Sequence, residues 1–156
     1  MMSTPLHVHR LVPCAVMEKL CFLFADPVEK EVLASTAPED LVHVVMEFTG
    51  PVRGRLTMVL PHELCVEVAA NALGGDDDEE AMEKALDATG ELLNVMCGQV
   101  LVALCGPVPI FDLTPPRVNR GGEKIWEEIL ASDDSVAYRV DRWPMVLDMS
   151  VEDDVS

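Results

Sequence analysis

Three side chains that could do chemistry, and one glycine, recur at intervals of three and four residues near the middle of this 156-residue sequence. They are Asp87, Glu91, Asn94 and Gly98, and residues at this spacing share one face of a helix. Asn is unfavourable inside a helix, because its side chain competes for backbone hydrogen bonds and costs roughly a few tenths of a kcal/mol. That cost favours a functional role for the stripe. The alternative is a solvated helix surface on which an Asn is tolerated.

The stripe lies on a long helix that the sequence predicts from about residue 79 to Cys105, where a Gly-Pro pair ends it. Beyond Asn94 the helix is apolar nearly all round, which predicts a core helix whose polar residues are confined to its first half. The acidic run DDDEE at 76–80 comes just before it. Carboxylates there suit a helix N-terminus, whereas the ligand spacing of a calcium loop is missing.

Hydrophobic periodicity and turn residues predict the elements that must position this helix. Hairpins are interspersed with helices in the predicted order, which favours an α+β domain. We expect two layers, a largely antiparallel sheet with helices packed on one face, and a single domain over residues 1–156. The other predicted elements are a helix at 13–26 closed by Pro27, a hairpin at 39–61 turning at 50–54, a helix at 62–75 stopped by Gly74, a strand at 108–113, a helix at 121–134 and a hairpin at 135–152.

Charge and composition exclude several classes of function. Acids outnumber bases by 28 to 11, for a net charge of −17, so phosphate-rich nucleic acid is a poor partner. The longest apolar run is too short to cross a bilayer, and the N-terminus lacks the apolar core of a signal peptide. Five cysteines, an odd number scattered in apolar runs, suit buried thiols better than disulfides. These features predict a cytoplasmic protein with no nucleic-acid or membrane partner.

The motif D-x-x-x-E-x-x-N in DATGELLN, followed by Gly98 and a proline pair, resembles the pattern of the CheC/CheX/FliY family of chemotaxis phosphatases. In the family a proline follows the Asn after 22 residues, whereas here Pro116 follows Asn94 after 21 and Arg117 stands at the family's position. The similarity extends to the N-terminal helix, the hairpin with GPVRGRLTMVLP and the helix ending in NALGG. It covers most of the chain.

The resemblance implies one working site per chain. Relatives of the CheC type carry two copies of the motif on pseudo-symmetric helices, whereas the CheX type carries one and forms a homodimer. In the N-terminal helix, Cys14, Glu18 and Cys21 occupy the register of the motif. A cysteine stands where the motif needs Asn, so that copy should be inert. The chain is therefore most similar to the CheX type, for which a homodimer is implied.

The implied substrate is a phosphorylated CheY-like response regulator, whose phosphoaspartate lies beside the regulator's own divalent metal and lysine. The domain would then need no cofactor of its own. An amide both donates and accepts hydrogen bonds, so Asn94 would enter the regulator's site and orient the attacking water. Glu91 would pair with the regulator's lysine, and Asp87 would support the docking face. Gly98 would permit close approach, or else relieve helix packing within the chain.

Two other classes of function stay open. One is a non-catalytic binding or adaptor module of the same fold in chemotaxis, flagellar or two-component signalling, since a fold does not fix a function. The charge of −17 favours this alternative, because it repels an anionic regulator at long range. The other class is a metal site built from His7 and His9, or from Cys97 and Cys105. Neither set makes four convergent ligands.

Overall fold

The computed structural model describes residues 5–34, 38–73 and 81–152. The acidic run at 76–80 and Gly74, for which a helix start and a helix stop are predicted, lie outside these ranges. Six helices and seven strands occur in the described part of the chain. The helices are α1 (Pro5–Val8), α2 (Leu11–Cys21), α3 (Lys30–Ala34), α4 (His62–Leu73), α5 (Ala81–Cys105) and α6 (Glu123–Leu130). The strands are β1 (Ala25–Val28), β2 (Leu41–Thr49), β3 (Arg53–Pro61), β4 (Asp112–Leu113), β5 (Arg117–Arg120), β6 (Ser135–Val140) and β7 (Trp143–Glu152).

The described strands form one sheet in which the pairs are antiparallel. Their order is β1-β6-β7-β3-β2-β4, and β5 pairs with β2 as β4 does. The hairpin β2–β3 pairs without interruption from Leu41 opposite Pro61 to Thr49 opposite Arg53. The hairpin β6–β7 extends the same sheet next to β3, because β7 pairs with β3. Both predicted hairpins and the α+β class with its antiparallel sheet are confirmed.

The two faces of the sheet bury different cores, because side chains alternate along each strand. Val42, Val44 and Met46 of β2 belong to the larger core, together with apolar residues of α2, α4 and α5. Helix α5 packs against both α2 and α4 within this layer. The helix that carries the polar stripe is therefore fixed on three sides, by the sheet and by two neighbouring helices.

The opposite face of the sheet is covered in part by α3 and α6, and the expectation that helices pack on one face is wrong for these two. Trp126 and Ile129 of α6 pack with Leu41 and Val59 in a second, smaller core. Leu41 directly precedes Val42, so the two residues face opposite sides of the sheet. The sequence predicts the helix at 121–134 but contains no signal for the face it covers.

The first long helix is shorter than its sequence pattern suggests, because strand β1 follows it. Helix α2 ends at Cys21, where Phe22 has φ 54° and donates its backbone N–H to Glu18 O. Strand β1 then pairs with β6 and forms one edge of the sheet. Proline is compatible with an edge strand, since no further strand needs its missing N–H. Pro27 therefore lies inside a strand and does not close the helix, which is a correction to the sequence prediction.

The predicted strand at 108–113 is reduced to the two residues of β4, and β5 has no counterpart among the predicted strands. The sequence RVNR of β5 contains a single apolar residue, so it lacks the alternation that marks a strand. Pairing with β2 holds it in place, from Val42 opposite Arg120 to Val45 opposite Arg117. Val118 packs on the larger core and fixes which side of β5 faces α5.

The cysteines should behave as buried thiols in the native protein. Burial raises the pKa of Cys21, Cys65 and Cys97 to about 11, so at pH 8 only about a thousandth of each is thiolate. We predict that iodoacetamide at pH 8 leaves these three unmodified in the folded protein and modifies all five in denaturant, as counted by intact mass. Cys14 and Cys105 are half-buried and serve as the internal comparison. Rapid labelling of native Cys97 would contradict the packing of α5.

Candidate functional site

Helix α5 buries one wide apolar face in the larger core and presents the polar stripe on its outer side. Over its 25 residues it buries a wide apolar face that includes Leu93, Met96 and Val100. Thr89, also fully buried, donates its hydroxyl to Ala85 O at 2.7 Å, so this polar residue is satisfied within the helix. By length and composition the Glu83–Cys105 stretch could span a membrane. The face of α5 that is buried in the larger core accounts for much of that apolar composition.

The four residues singled out by the sequence share one outward stripe of α5. Asp87 and Glu91 are exposed, and Asn94 and Gly98 are half-buried. The side chain of Asn94 donates from Nδ2 to Glu91 Oε1 over 3.4 Å, which is long for a hydrogen bond. So long a contact holds the amide weakly. Asn94 can therefore exchange Glu91 for water or for groups of another molecule.

Gly98 borders open space at the end of this stripe. A Cβ built on it would meet no atom of the described structure within 4 Å, the backbone of its own helix aside. Packing within the described chain thus gives no reason for a glycine here, and the interpretation that Gly98 relieves helix packing loses its support. Glycine in a helix costs about 1 kcal/mol relative to Ala. A half-buried glycine beside open space is consistent with a surface that another molecule approaches closely.

A second glycine, Gly90, makes a contact that the sequence motif does not reveal. A Cβ built on Gly90 would lie 3.2 Å from Pro116 Cγ and 3.2 Å from Val118 Cγ2. Pro116 therefore packs directly on α5, about one helical turn before Asn94. The sequence analysis missed this contact. The available signal was the position of Gly90, four residues before Asn94 on the adjoining side of the helix.

The one-residue shift of the proline does not separate it from α5. Pro116 and Val118 are two residues apart and lie on the same side of the chain, which faces the helix. Arg117 lies on the other side, where its Nη2 is 3.0 Å from Glu47 Oε1 in an exposed ion pair. Such pairs contribute little to stability. The shift changes the loop before β5 but keeps the contact between proline and helix.

On α2, the residues at the motif's three positions are Cys14, Glu18 and Cys21, and the third of them lies in the core. Glu18 is exposed and Cys14 is half-buried, but Cys21, at the position of the Asn, is only 1% exposed. A side chain buried to this degree cannot reach a docked protein. This geometry supports the expectation that the α2 copy is inert, because its third position faces the same core as the apolar side of α5.

The alternative metal sites find no support in the described part of the chain. Within it, no three His, Cys, Asp or Glu side chains converge in a way that could hold a metal ion. Cys97 is buried in the larger core, whereas Cys105 lies half-buried at the end of α5. Two helical turns separate these cysteines, and they face different surroundings. His7 and His9 lie in and just after the four-residue α1.

The fold and the stripe together define a domain of the CheC/CheX/FliY class, in which one antiparallel sheet carries a long helix with the Glu-x-x-Asn pair facing outward. A sequence profile described as "Chemotaxis phosphatase CheX" matches residues 42–138, more than half of the chain. The chain belongs to the CheX family. A protein of Thermotoga maritima named "CheY-P phosphatase CheX" is 33% identical over 84 residues, which are 54% of this chain and 54% of that protein. The match thus spans about half the length of that relative.

Solved structures show that the likeness of fold extends over nearly the whole chain. The chemotaxis protein CheX from Vibrio vulnificus has a TM-score of 0.71 at 18% identity, over 95% of this chain and 96% of that one. The structure of a CheX-CheY-BeF3-Mg+2 complex from Borrelia burgdorferi has a TM-score of 0.65 at 16% identity, over 97% and 99%. At these identities the similarity concerns the fold.

The two glycines of α5 form a matched pair for testing this surface. Replacing Gly by Ala inside a helix raises the free energy of unfolding by about 0.5–1 kcal/mol. We predict that Gly98→Ala shows this gain, because nothing described meets the added methyl group. Gly90→Ala should gain less or lose stability, because Pro116 and Val118 would have to move. Urea unfolding measures both variants, and equal gains would contradict the packing of Pro116 on α5.

Proposed function

We propose that this protein is a phosphatase of a CheY-like response regulator and that it hydrolyses the regulator's phosphoaspartate. The observation that carries the proposal is the accessible pair of Asn94 and Glu91 on α5, in a chain of the CheX family. The relatives support the choice of substrate. The Thermotoga protein is named as a CheY-P phosphatase, and the Borrelia structure contains CheX together with CheY.

In the proposed reaction a water molecule attacks phosphorus, the bond between phosphorus and the aspartate oxygen breaks, and inorganic phosphate is released with a free carboxylate. The regulator brings its own divalent metal and lysine, so this chain needs no cofactor. What it supplies is alignment of the water. Asn94 can accept a hydrogen bond from water through its carbonyl oxygen and donate through its NH2 group. Holding the water in line lowers the barrier by positioning, without a covalent intermediate on this chain.

The remaining stripe residues would bind the regulator. Glu91 would release the long contact with Asn94 and pair with the regulator's lysine, a charge-assisted interaction that fixes the orientation of the docked helix. Asp87, exposed one turn earlier, would extend the docking face. Gly98 would let the partner's backbone approach, since the space beside it is open. We further propose that the protein acts in the cytoplasm as a homodimer, as the CheX type implies.

A non-catalytic adaptor is the second candidate, and the net charge is the observation in its favour. With 28 acids against 11 bases, the protein repels an anionic regulator at long range, which lowers the association rate. Fast turnover of a soluble substrate would be hindered by this repulsion, whereas a stable assembly would tolerate slow association. Asn94 discriminates between the two candidates, because only a catalyst needs its amide.

The decisive variant is Asn94→Ala, which removes the amide from an accessible position on α5. We predict that the variant loses about 100-fold or more of its turnover of a phosphorylated CheY-like regulator, because misplaced reactants commonly cost that much, while the Kd for the regulator stays close to that of the wild type. Turnover is measured as release of inorganic phosphate from the purified regulator of the same organism. Binding is measured with the beryllofluoride-charged regulator.

The matched control is Asn119→Ala, which removes an exposed amide from β5. Asn119 is two residues from Arg117 in the strand, so both side chains lie on the side of β5 that faces away from α5. It should leave turnover unchanged. If the wild-type protein binds a regulator but accelerates no dephosphorylation, the adaptor is the correct candidate. If Asn94→Ala turns over normally, the amide does not orient the water.

Substitution of Glu91 should separate binding from turnover. Glu91→Gln keeps the size of the side chain but removes the charge that would pair with the regulator's lysine. We predict a rise in KM of about tenfold, since a charge-assisted hydrogen bond exceeds a neutral one by about 1–2 kcal/mol, and a smaller change in kcat. Glu127→Gln, on the exposed side of α6, is the control for the loss of one negative charge. Equal effects of the two variants would mean that only net charge matters.

A further inference from the structure

The loop between α5 and β4 presents two apolar side chains almost entirely to solvent. Val108 is 87% exposed and Ile110 is 86% exposed, the highest values among the large apolar residues of the described chain. Val102, near the end of α5, is 46% exposed. Scattered exposed apolar residues are ordinary, but neighbouring ones mark an interaction surface. We call Val102, Val108 and Ile110 the apolar patch.

Val102 of the apolar patch continues the stripe that carries Asn94. Gly98 follows Asn94 by four residues and Val102 follows Gly98 by four, so all three lie along one side of α5. The helix ends at Cys105, and the loop with Val108 begins directly after it. Along α5 the stripe therefore starts with the carboxylates, passes the amide and an open glycine, and ends in the exposed Val102.

The loop that bears the patch is held in a defined conformation. Two prolines flank Val108 at positions 107 and 109 and restrict the backbone. Phe111 anchors the loop, because its ring packs edge-on against Phe48 with centroids 6.1 Å apart and also lies close to Gly50. The apolar side chains are thus exposed by a loop that is already ordered. A partner that covers them pays little conformational entropy on binding.

Long-range electrostatics disfavour a phosphorylated partner, so the local contact between Glu91 and the regulator's lysine needs a further source of affinity. The chain carries a net charge of −17, and the polar end of the stripe is itself anionic at Asp87 and Glu91. A phosphoryl group brings further negative charge. Favourable binding must therefore come from apolar area buried beside the charged contacts. On the stripe, that area lies at the end where Gly98 and the patch are found.

We propose that the apolar patch is the affinity-determining part of the regulator docking site, and that it packs on an aliphatic or aromatic surface beside the regulator's phosphoaspartate. This inference rests on the proposed phosphatase function. It assigns two tasks to two ends of one surface. At the polar end Asn94 acts on the phosphoryl group and Glu91 pairs with the regulator's lysine, whereas the apolar end supplies most of the affinity.

The test is the double variant Val108→Ser/Ile110→Ser, assayed with the CheY-like regulators of the same organism. We expect the Kd for the beryllofluoride-charged regulator and the KM for dephosphorylation to rise about tenfold or more, since loss of buried apolar anchors costs at least that much. The kcat at saturating regulator should stay within about twofold, because Asn94 is untouched. The matched control is Val32→Ser, which removes an apolar side chain of 49% exposure from α3, a helix that packs beside α6 on the other face of the sheet.

Each outcome decides the proposal. The proposal for the apolar patch is wrong if the double variant keeps the wild-type Kd while the wild-type protein binds and dephosphorylates the regulator. The proposed phosphatase function is then unaffected. A wild-type protein that binds no regulator overturns both. If sedimentation shows that the double variant loses a dimer present in the wild type while regulator affinity is unchanged, the patch joins two copies of this chain and the proposal is wrong. Equal loss of affinity in Val32→Ser also contradicts it.

Discussion

The structure depends on the burial of one wide apolar face of a single long helix. Helix α5 is packed against the sheet, α2 and α4, and this packing sets the rotation of the helix about its own axis. A turn of the helix by one residue would move each side chain by about 100° and bury the carboxylate of Glu91. The apolar faces therefore do more than stabilise the domain. They hold Glu91 and Asn94 outward with a precision that a surface loop could not provide.

The parts of the fold that follow from local pattern could be predicted. The hairpins, α4 and α5 have strong periodicity, and their existence and type are correct. The four residues of the stripe also follow from spacing alone, because i, i+4 and i+7 define one helix face whatever surrounds it. Their accessibility does not follow from spacing. It depends on which face of α5 meets the sheet, and the burial of Leu93 and Met96 settles that in the structure.

What the sequence could not provide depends on contacts between distant segments. Strand β1 contains a proline and β5 contains mostly polar residues, so both contradict strand propensity and exist because each lies at an edge of the sheet. The contact of Pro116 with Gly90 joins segments 26 residues apart. The number of residues between Asn94 and the proline differs from the family pattern. Because side chains alternate along the extended chain, Pro116 nevertheless points toward α5. In this chain the contact of Pro116 with α5 is made with the shorter spacing.

Helices α2 and α5 differ in the burial of the position that corresponds to Asn94. On α5 the third position of the motif lies at the edge of the buried face, half-exposed, and a polar amide there can reach a partner. On α2 the third position is 1% exposed, and an amide at that depth would need hydrogen-bond partners that an apolar core lacks. Cysteine avoids this cost, and burial raises its pKa to about 11, so the thiol stays neutral. Glu18 remains exposed on the surface of α2. A polar residue at the third position is favourable only where solvent or a partner can reach it, which holds for Asn94 on α5 but not at the position of Cys21 on α2.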